Sequence, residues 1–282
     1  MIRKPVAAGF YQGDIKTQME TYRRAFRPVA GLPERIVAGI VPHAGWFFSG
    51  PTAAKVFLSI AAKESPKTFV IFGAVHVPGV RVNSVFASGA WDTPLGPVEV
   101  DEDLAVSLLA HCGSVLSPGT DAHLYEHSIE VQLPMIKYLF PEAKVVPVAV
   151  PPGESAVELG SAVGRMIRSD NLDAVVIAST DLTHYGDNYG FTPAGLGPDG
   201  YEWMRENDGH IIGLALKMMP DEILTEAAMK YNACGPGAMA GAVAAARAMG
   251  VKEGKLIEYM TSHDVYPQGG FTMGVGYAGI VF

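Results

Sequence analysis

Short runs of apolar and β-branched residues alternate along the chain with longer stretches of helical periodicity. The apolar runs lie at 35–41, 68–73, 144–150, 173–179, 255–260 and 272–282. Runs of this length and composition predict buried strands. Helical patterns lie between them, at 52–62, 101–112, 155–168, 221–231 and 236–250. The alternation predicts an α/β fold in which a mostly parallel or mixed β-sheet is flanked by helices on both faces.

The pattern contains no repeat, low-complexity tract or long linker, so we expect a single domain. The glycine-rich stretch at 189–200 is predicted to be one long loop. Loops of that length inside a compact domain are often functional, which makes this segment a candidate lid or pocket wall.

Composition narrows the class of protein. The chain has 282 residues, of which 49% are hydrophobic and 18% charged, so it can bury a large core. Its net charge of −8 and its scattered basic residues argue against nucleic acid as a partner. No apolar run reaches the roughly 18 residues of a membrane span, and the N-terminal stretch is too short for a signal peptide. We therefore expect a cytoplasmic protein without a membrane partner.

Polar residues follow the predicted strands in a way that a purely structural sheet would not require. His43 follows the strand at 35–41, and His76 follows the strand at 68–73. Asp181 and His184 follow the strand at 173–179. Ligands bind in the crevice beyond the carboxyl ends of parallel strands. If the three strands are neighbours, these side chains converge on one site; taken singly, each histidine is equally well explained by local hydrogen bonds.

Cys234 is the second candidate for chemistry. It lies two residues before Pro236, which suits the first turn of a helix. The positive end of a helix dipole lowers the pKa of a nearby thiol and favours the thiolate that binds metals. The alternative is a small buried residue at a tight turn. Cys112, at a helix end, is predicted to pack in the core.

The segment beginning at Glu126 is predicted to open a helix. Glu126 or His127 could orient a metal ligand through a hydrogen bond, while Glu130 is explained by the helix dipole. Pro134 indicates a kink, or a helix that starts later. His123 stays ambiguous.

The remaining histidines carry weaker signals. His111 lies beside Cys112. His210 is predicted to lie at the head of an apolar helix that is capped by Asn207 or Asp208. His263 lies in a segment that a turn explains as well as a pocket does.

Five ordered motifs carry a resemblance to a known family. They are PHAGW at 42–46, GAVH at 73–76, EHSIEVQLP at 126–134, STDLTHYG at 179–186 and NACG at 232–235. In this order they resemble the signature segments of the MEMO family, whose prokaryotic group is called AmmeMemoRadiSam system protein B. The family is similar in fold to the class III extradiol dioxygenases, which are non-haem iron(II) enzymes. The resemblance implies a single MEMO-like α/β domain over residues 1–282.

The resemblance also implies a metal site. His43, His76 and Cys234 correspond to the family's metal-binding positions, and Asp181 and His184 to pocket residues near them. The dioxygenases complete their site with a carboxylate, for which this chain has Cys234. A thiolate suits iron(II), copper or zinc, and the resemblance makes iron(II) the first expectation. The chain also has Ala74 where the family usually has proline.

Three functions are compatible with these residues. The first is a non-haem metal oxidoreductase, dioxygenase-like, in which His184 acts as general acid and base on a small-molecule substrate and Asp181 poises it. The second is a non-catalytic metal- or ligand-binding component of a pathway with an AMME-domain protein and a radical SAM protein. The third, a cysteine hydrolase using Cys234 with His43 or His184, leaves the second strand-end histidine unexplained.

Overall fold

The strands alternate with helices along the chain. The computed structural model describes residues 1–267 and 269–282. The strands are β1 (Ile2–Arg3), β2 (Ala38–Val41), β3 (Thr68–Gly73), β4 (Asn83–Val85), β5 (Ala90–Trp91), β6 (Val98–Glu99), β7 (Leu116–Pro118), β8 (Lys144–Ala149), β9 (Ala174–Ser179), β10 (His184–Gly186), β11 (Lys255–Thr261) and β12 (Met273–Val281).

The helices vary in length from one turn to five. They are α1 (Ile15–Ala25), α2 (Trp46–Ala61), α3 (Glu102–Cys112), α4 (Asp121–Leu124), α5 (Leu133–Leu139), α6 (Glu154–Ser169), α7 (Pro198–Leu216), α8 (Pro220–Lys230), α9 (Pro236–Ala248) and α10 (Ser262–Val265). Short 3-10 helices cover Ala8–Tyr11, Glu130–Gln132 and Asp187–Tyr189.

The large sheet is mixed and has a parallel centre. Its order is β10-β12-β2-β9-β3-β8-β4-β7, and β11 also pairs with β12. The strands β2, β9, β3 and β8 run parallel, whereas β12 is antiparallel to β2, β10 and β11. A small separate sheet has the order β1-β5-β6. The prediction of a mostly parallel or mixed sheet is confirmed.

Helices cover both faces of the large sheet. Successive side chains of a strand point to opposite faces, so Phe69 and Ile71 of β3 enter one buried cluster while Val70 and Phe72 enter the other. The first cluster includes residues of α1, α2 and α5, and the second includes residues of α3 and α6 to α9. The predicted layer arrangement is therefore confirmed.

The structure corrects several local predictions. The segment 189–200 is not one long loop, because Pro198 begins α7 and fixes the backbone for its first turn. Asn207 and Asp208 consequently lie in the middle of α7, where they are buried, and do not cap a helix at His210. The prediction failed because their polar side chains were taken for a helix start.

The helix predicted to open at Glu126 begins later. The chain forms a turn there, a 3-10 helix at Glu130–Gln132 and then α5 from Leu133. Pro134 lies in the first turn of α5, where its missing N–H costs no hydrogen bond. The later start, one of the two alternatives, is the one observed. Elsewhere the short strands β1, β4 to β7 and β10 and the helix α1 lie outside the predicted elements.

None of the helices in the described part of the chain combines the length and the apolar character needed to cross a bilayer.

Candidate metal centre

Three neighbouring strands bring the predicted residues together. In the parallel registers, Ser179 at the end of β9 lies opposite Val41 of β2 and Gly73 of β3, so the three strands end level. His43 and Asp181 lie two residues beyond their strands, and His76 lies three beyond. The crevice at the carboxyl edge of the sheet is thus where the sequence placed it.

Three potential metal donors meet in this crevice. The Nε2 atom of His43 lies 3.3 Å from the Sγ atom of Cys234. One donor atom from each of His43, His76 and Cys234 lies within 4.8 Å of the others. The two imidazole rings are 5.2 Å apart at 87°. His43 is buried, whereas the His76 side chain is 36% exposed, so the cluster opens toward solvent on the His76 side.

Cys234 is tied to the β9 side of the crevice. Its backbone N–H donates to the carbonyl of Asp181 at 3.1 Å, and the backbone N–H of Asp181 donates to its Sγ atom at 3.2 Å. The predicted lowering of the thiol pKa is not observed. Burial, and then the charge of Asp181, raise the pKa of Cys234 well above its usual range. The helix terminus at Pro236 is too weak to offset them, so the metal-free protein holds a thiol.

Glu126 contacts both the backbone and the ring of His76. Its Oε2 atom accepts the backbone N–H of His76 at 2.6 Å, and its Oε1 atom lies 3.0 Å from the Nδ1 atom of the His76 ring. Oε1 also accepts the backbone N–H groups of His127 and Ser128, at 2.8 and 2.9 Å. Burial raises the pKa of Glu126, but the hydrogen bonds and charge of His76, together with the backbone N–H of Ser128, outweigh burial and lower the pKa to about 2. Glu126 is therefore a buried carboxylate.

A close backbone approach makes this arrangement possible. A Cβ atom added at Gly73 would lie 2.6 Å from a side-chain carbon of Ile129 and 2.8 Å from the Oγ atom of Ser128. Glycine at the end of β3 thus lets the segment that carries Glu126 lie directly against the strand.

A second set of possible ligands overlaps the first. Donor atoms of His76, Glu126 and His127 also lie within 4.8 Å of one another. The two oxygens of Glu126 already take part in four hydrogen bonds, with His76, His127 and Ser128. A carboxylate in such a network commonly orients a metal-binding histidine without binding the metal itself.

His127 lies beside the two candidate histidine ligands. Its ring stacks on that of His76 at 4.7 Å and lies 4.8 Å from the ring of Phe10. Burial, followed by the charges of His43 and His76, lowers the pKa of His127 to about 4. His127 is therefore neutral at neutral pH, and Phe10 brings the N-terminal segment against its ring.

Asp181 and His184 occupy separate positions. The Oδ1 atom of Asp181 accepts the backbone N–H groups of His43 and Ala44, at 2.7 and 3.2 Å. The Nδ1 atom of His184 lies 3.1 Å from the carbonyl oxygen of Leu182. In the described part of the chain no hydrogen bond joins the Asp181 carboxylate to the His184 ring. Asp181 thus positions the His43 backbone and has no direct contact with the His184 ring among the described hydrogen bonds.

Contrary to the prediction, Glu130 does not serve a helix dipole but binds the N-terminal segment. Its side chain is buried, forms an ion pair with Arg3, and accepts the Tyr11 hydroxyl at 2.6 Å and the backbone N–H of Ala7 at 2.8 Å. It anchors the N-terminal segment that carries Phe10. The partner Arg3 lies 127 residues away, so periodicity around Glu130 contains no trace of it.

The sequence also missed an anchor on α7. The Oδ1 atom of Asp208 accepts the backbone N–H of Thr183 at 2.9 Å, and its Oδ2 atom accepts the Tyr259 hydroxyl at 2.7 Å. The Nδ2 atom of Asn207 donates to the Thr183 hydroxyl at 3.0 Å and to the carbonyl of Lys230 at 3.1 Å. This anchor ties the segments before His184 and Cys234 to one helix. Two adjacent polar residues inside an apolar helical pattern were the available signal.

The other candidates lie apart from this cluster. His123 is buried against Phe86 and Trp91, with its Nε2 atom 3.0 Å from the carbonyl of Ser84. Cys112 is buried in the hydrophobic core, as predicted.

The fold and the site together define an α/β protein with a candidate transition-metal centre at the carboxyl edge of its sheet. A family profile described as Memo-like protein matches residues 3–281. The MEMO1 family protein of Thermococcus onnurineus is 38% identical, over 100% of this chain and 99% of the relative. The MEMO1 family protein of Methanopyrus kandleri is 36% identical with the same coverage. The chain belongs to the Memo family.

A solved structure shows the same fold at low sequence identity. The uncharacterized protein JW3007 of Escherichia coli K12 has a TM-score of 0.55 and 14% identity, over 88% of this chain and 100% of that chain. At this identity the likeness concerns the fold alone.

Proposed function

We propose that this protein is a metal-dependent oxidoreductase that binds one metal ion through His43, His76 and Cys234 and acts on a small molecule. Iron(II) is the first candidate metal, and copper or zinc suits the same donors. The observation that carries the proposal is the convergence of three donor atoms within 4.8 Å at the ends of adjacent strands. The resemblance to the class III extradiol dioxygenases supports redox chemistry.

The donor set fits a transition metal. Two imidazoles and one thiolate are ligands for iron, copper and zinc, and are unsuited to magnesium or calcium. Burial, and then the charge of His76, lower the pKa of His43 to about 3, so its ring is neutral at physiological pH. A positive ion would also favour the thiolate of Cys234, whose burial otherwise disfavours charge. With three protein ligands, a site leaves a position for water or substrate.

The surrounding residues would position the metal ligands and transfer protons. Iron, when bound, would supply a Lewis acid and a redox couple for the substrate. Asp181 holds the backbone at His43 through two N–H groups, and Glu126 holds both the backbone and the ring of His76. A carbonyl oxygen can only accept, so the Nδ1 atom of His184 carries the proton toward Leu182. Its Nε2 atom is then free to take a proton from substrate and return it.

The cysteine-hydrolase alternative receives some support from the 3.3 Å contact between His43 and Cys234. A nucleophilic dyad, however, needs an ionised thiol or a basic imidazole. Burial raises the pKa of Cys234 and lowers that of His43 to about 3, which disfavours proton transfer from thiol to imidazole. Insensitivity of activity to chelators would favour the hydrolase.

Metal content after anaerobic reconstitution tests the proposal. Wild type, His43→Ala, His76→Ala and Cys234→Ala are loaded separately with iron(II), copper(I) or zinc, desalted and analysed for metal. We expect about one metal ion per chain in wild type and traces in each variant, because each loses a ligand. Matched controls are His111→Ala and Cys112→Ala, which remove the same residue types elsewhere and should retain the metal.

Turnover separates an enzyme from a binder. The metal-loaded protein is incubated aerobically with a panel of small molecules while oxygen uptake and substrate loss are followed. The proposal expects both to require the metal and to fall at least 100-fold in His184→Gln, in line with loss of a general acid–base group. Metal retention equal to wild type in all three ligand variants would refute the site. Stoichiometric metal with no redox change across the panel would favour the accessory role.

A further inference from the structure

The His43 ligand has a second set of neighbours, on the side of the ring away from Cys234. Its Nδ1 atom lies 3.2 Å from the Oγ atom of Ser179, the last residue of β9. The same Oγ atom lies 2.7 Å from the carbonyl oxygen of Ser128 and 3.0 Å from the Nε2 atom of Gln132. All these residues are buried, so water does not compete for the contacts.

The direction of each hydrogen bond follows from the chemistry of the partners. The carbonyl of Ser128 can only accept, so the single proton of the Ser179 hydroxyl points to it. The Nε2 atom of Gln132 also lies 2.9 Å from the carbonyl of Pro42, which fixes the amide with its NH₂ group toward Ser179. The opposite amide orientation would place two oxygens together. Ser179 has then donated its proton and can only accept from His43.

We propose that Ser179 and Gln132 form a hydrogen-bond relay that fixes His43 as the Nδ1-protonated tautomer and directs its Nε2 lone pair at the metal position. In a neutral imidazole one nitrogen carries the proton and the other carries the lone pair. A proton on Nδ1 leaves Nε2 as the donor atom, and Nε2 is the atom 3.3 Å from the Cys234 sulfur. The inference rests on the proposed metal site for its purpose, and on the metal-free hydrogen bonds for its existence.

In this scheme Ser179 and Gln132 are positioning residues. Without the Ser179 acceptor, the His43 ring could hold its proton on either nitrogen or rotate. Each such state must be reversed before a metal can bind. Residues that orient metal-bound histidines typically contribute about 10- to 100-fold to metal affinity.

Nitrogen NMR of the metal-free protein tests the tautomer directly. Protein with ¹⁵N-labelled histidine gives distinct ring-nitrogen shifts for the two neutral tautomers, and His43→Asn assigns the His43 signals. We expect wild-type His43 to carry its proton on Nδ1, and Ser179→Ala to shift toward the Nε2-protonated form or a mixture. Ser59→Ala is the matched control, since Ser59 is also fully buried and donates to a backbone carbonyl, that of Lys55 at 2.7 Å.

Cobalt(II) titration supplies a second readout, with the thiolate-to-metal absorption reporting Cys234. We expect Ser179→Ala to weaken cobalt binding about 10-fold or more, and Ser59→Ala to leave it within twofold. The relay is overturned if wild-type His43 is protonated on Nε2, which is read from the wild-type spectrum once His43→Asn has assigned the signals. It is also overturned if Ser179→Ala keeps both the wild-type tautomer and the wild-type affinity. If wild type binds no cobalt, the proposed function fails while the NMR result still decides the relay.

Discussion

The two histidines of the candidate metal centre are held by opposite kinds of partner. The Nδ1 atom of His76 faces the carboxylate of Glu126, whereas that of His43 faces the hydroxyl of Ser179. Burial lowers the pKa of both rings, but the hydrogen bond and charge of Glu126 reverse the effect at His76 and raise its pKa above the usual value. His76 is therefore the more basic ring, for which protons would compete with a metal ion. The His43 ring is neutral at physiological pH.

The two partners control different properties of the imidazole rings, namely basicity at His76 and the tautomer at His43. A carboxylate behind an imidazole makes it more basic and strengthens its bond to a metal. A hydroxyl that can only accept fixes the tautomer without adding charge. If a metal binds, the Cys234 thiolate would be the one negatively charged group among the three ligands, and the Glu126 carboxylate would lie beside the His76 ring as a second negative charge. An iron(II) or zinc ion bound by the three ligands would thus contact a more basic imidazole, a less basic imidazole and a thiolate.

The largest effect on the His76 side should come from Glu126→Gln. The amide would set an NH₂ group against backbone N–H donors and remove the buried charge, so we expect metal affinity to fall about 100-fold. Unfolding free energy should fall by about 3 kcal/mol, as for other unsatisfied buried polar groups. Zinc titration and urea denaturation measure the two effects.

A matched control for that change exists in the same motif. Glu130 is also buried and accepts backbone N–H groups, but it faces the N-terminal segment. We expect Glu130→Gln to lose comparable stability while keeping zinc affinity within threefold. Equal losses of affinity in both variants would show that Glu126 acts through general stability, and the contrast between the two ligand sides would lose its basis.

Zinc affinity should next depend strongly on pH. The raised pKa of Cys234 means that the metal-free protein holds a thiol at neutral pH, and binding must expel its proton. We expect affinity to rise about 10-fold per pH unit between about pH 6 and 8. Below the raised pKa of His76 a second proton competes, so the fall toward acid steepens.

The pH dependence of zinc affinity in a variant shows whether the released proton comes from Cys234. Cys234→Ala should bind zinc weakly and without the thiol's share of the pH dependence. Affinity measured in weakly coordinating buffers at several pH values checks this, and a flat profile for wild type would contradict thiolate ligation.

The smallest effect should come from the α7 anchor, which lies outside both ligand sides. Burial raises the pKa of Asp208 to about 7, so the folded state holds its proton more tightly than the unfolded state. That contribution to stability is complete below the unfolded value and is lost as pH rises through about 7. Between pH 5 and pH 8 wild type should therefore lose on the order of 2 kcal/mol of unfolding free energy that Asp208→Asn does not lose.

Urea denaturation at the two pH values tests this sign, with zinc affinity as the second readout. We expect the affinity of Asp208→Asn to stay within twofold of wild type. A tenfold loss would mean that the anchor belongs to the metal centre.

The strand ends were predictable, because parallel strands deliver the residues after them to one edge. His43, His76 and Asp181 therefore came together from local patterns alone. Cys234 was a candidate because it precedes a helix terminus, and the resemblance grouped it with the two histidines; it lies in the loop between α8 and α9. The predicted direction of the shift in the pKa of its thiol was wrong. Burial and the Asp181 charge raise that pKa, and both depend on packing that the helix terminus does not reveal.

The supporting residues were harder to predict. Glu130 looked like an acidic first-turn residue, and its partner Arg3 is too distant for any periodic pattern to connect them. The role of Ser179 depends on where its single proton points, which the buried carbonyl of Ser128 decides. Such directions follow from the packing of separate segments and leave no mark in either segment alone.

The most direct test of the three-ligand centre is X-ray absorption on the zinc-loaded protein. We expect one sulfur neighbour at about 2.3 Å and two imidazole nitrogens at about 2.0 to 2.1 Å in wild type. A first shell of nitrogen and oxygen without sulfur in wild type would contradict it, and would move the metal to the His76, Glu126 and His127 set.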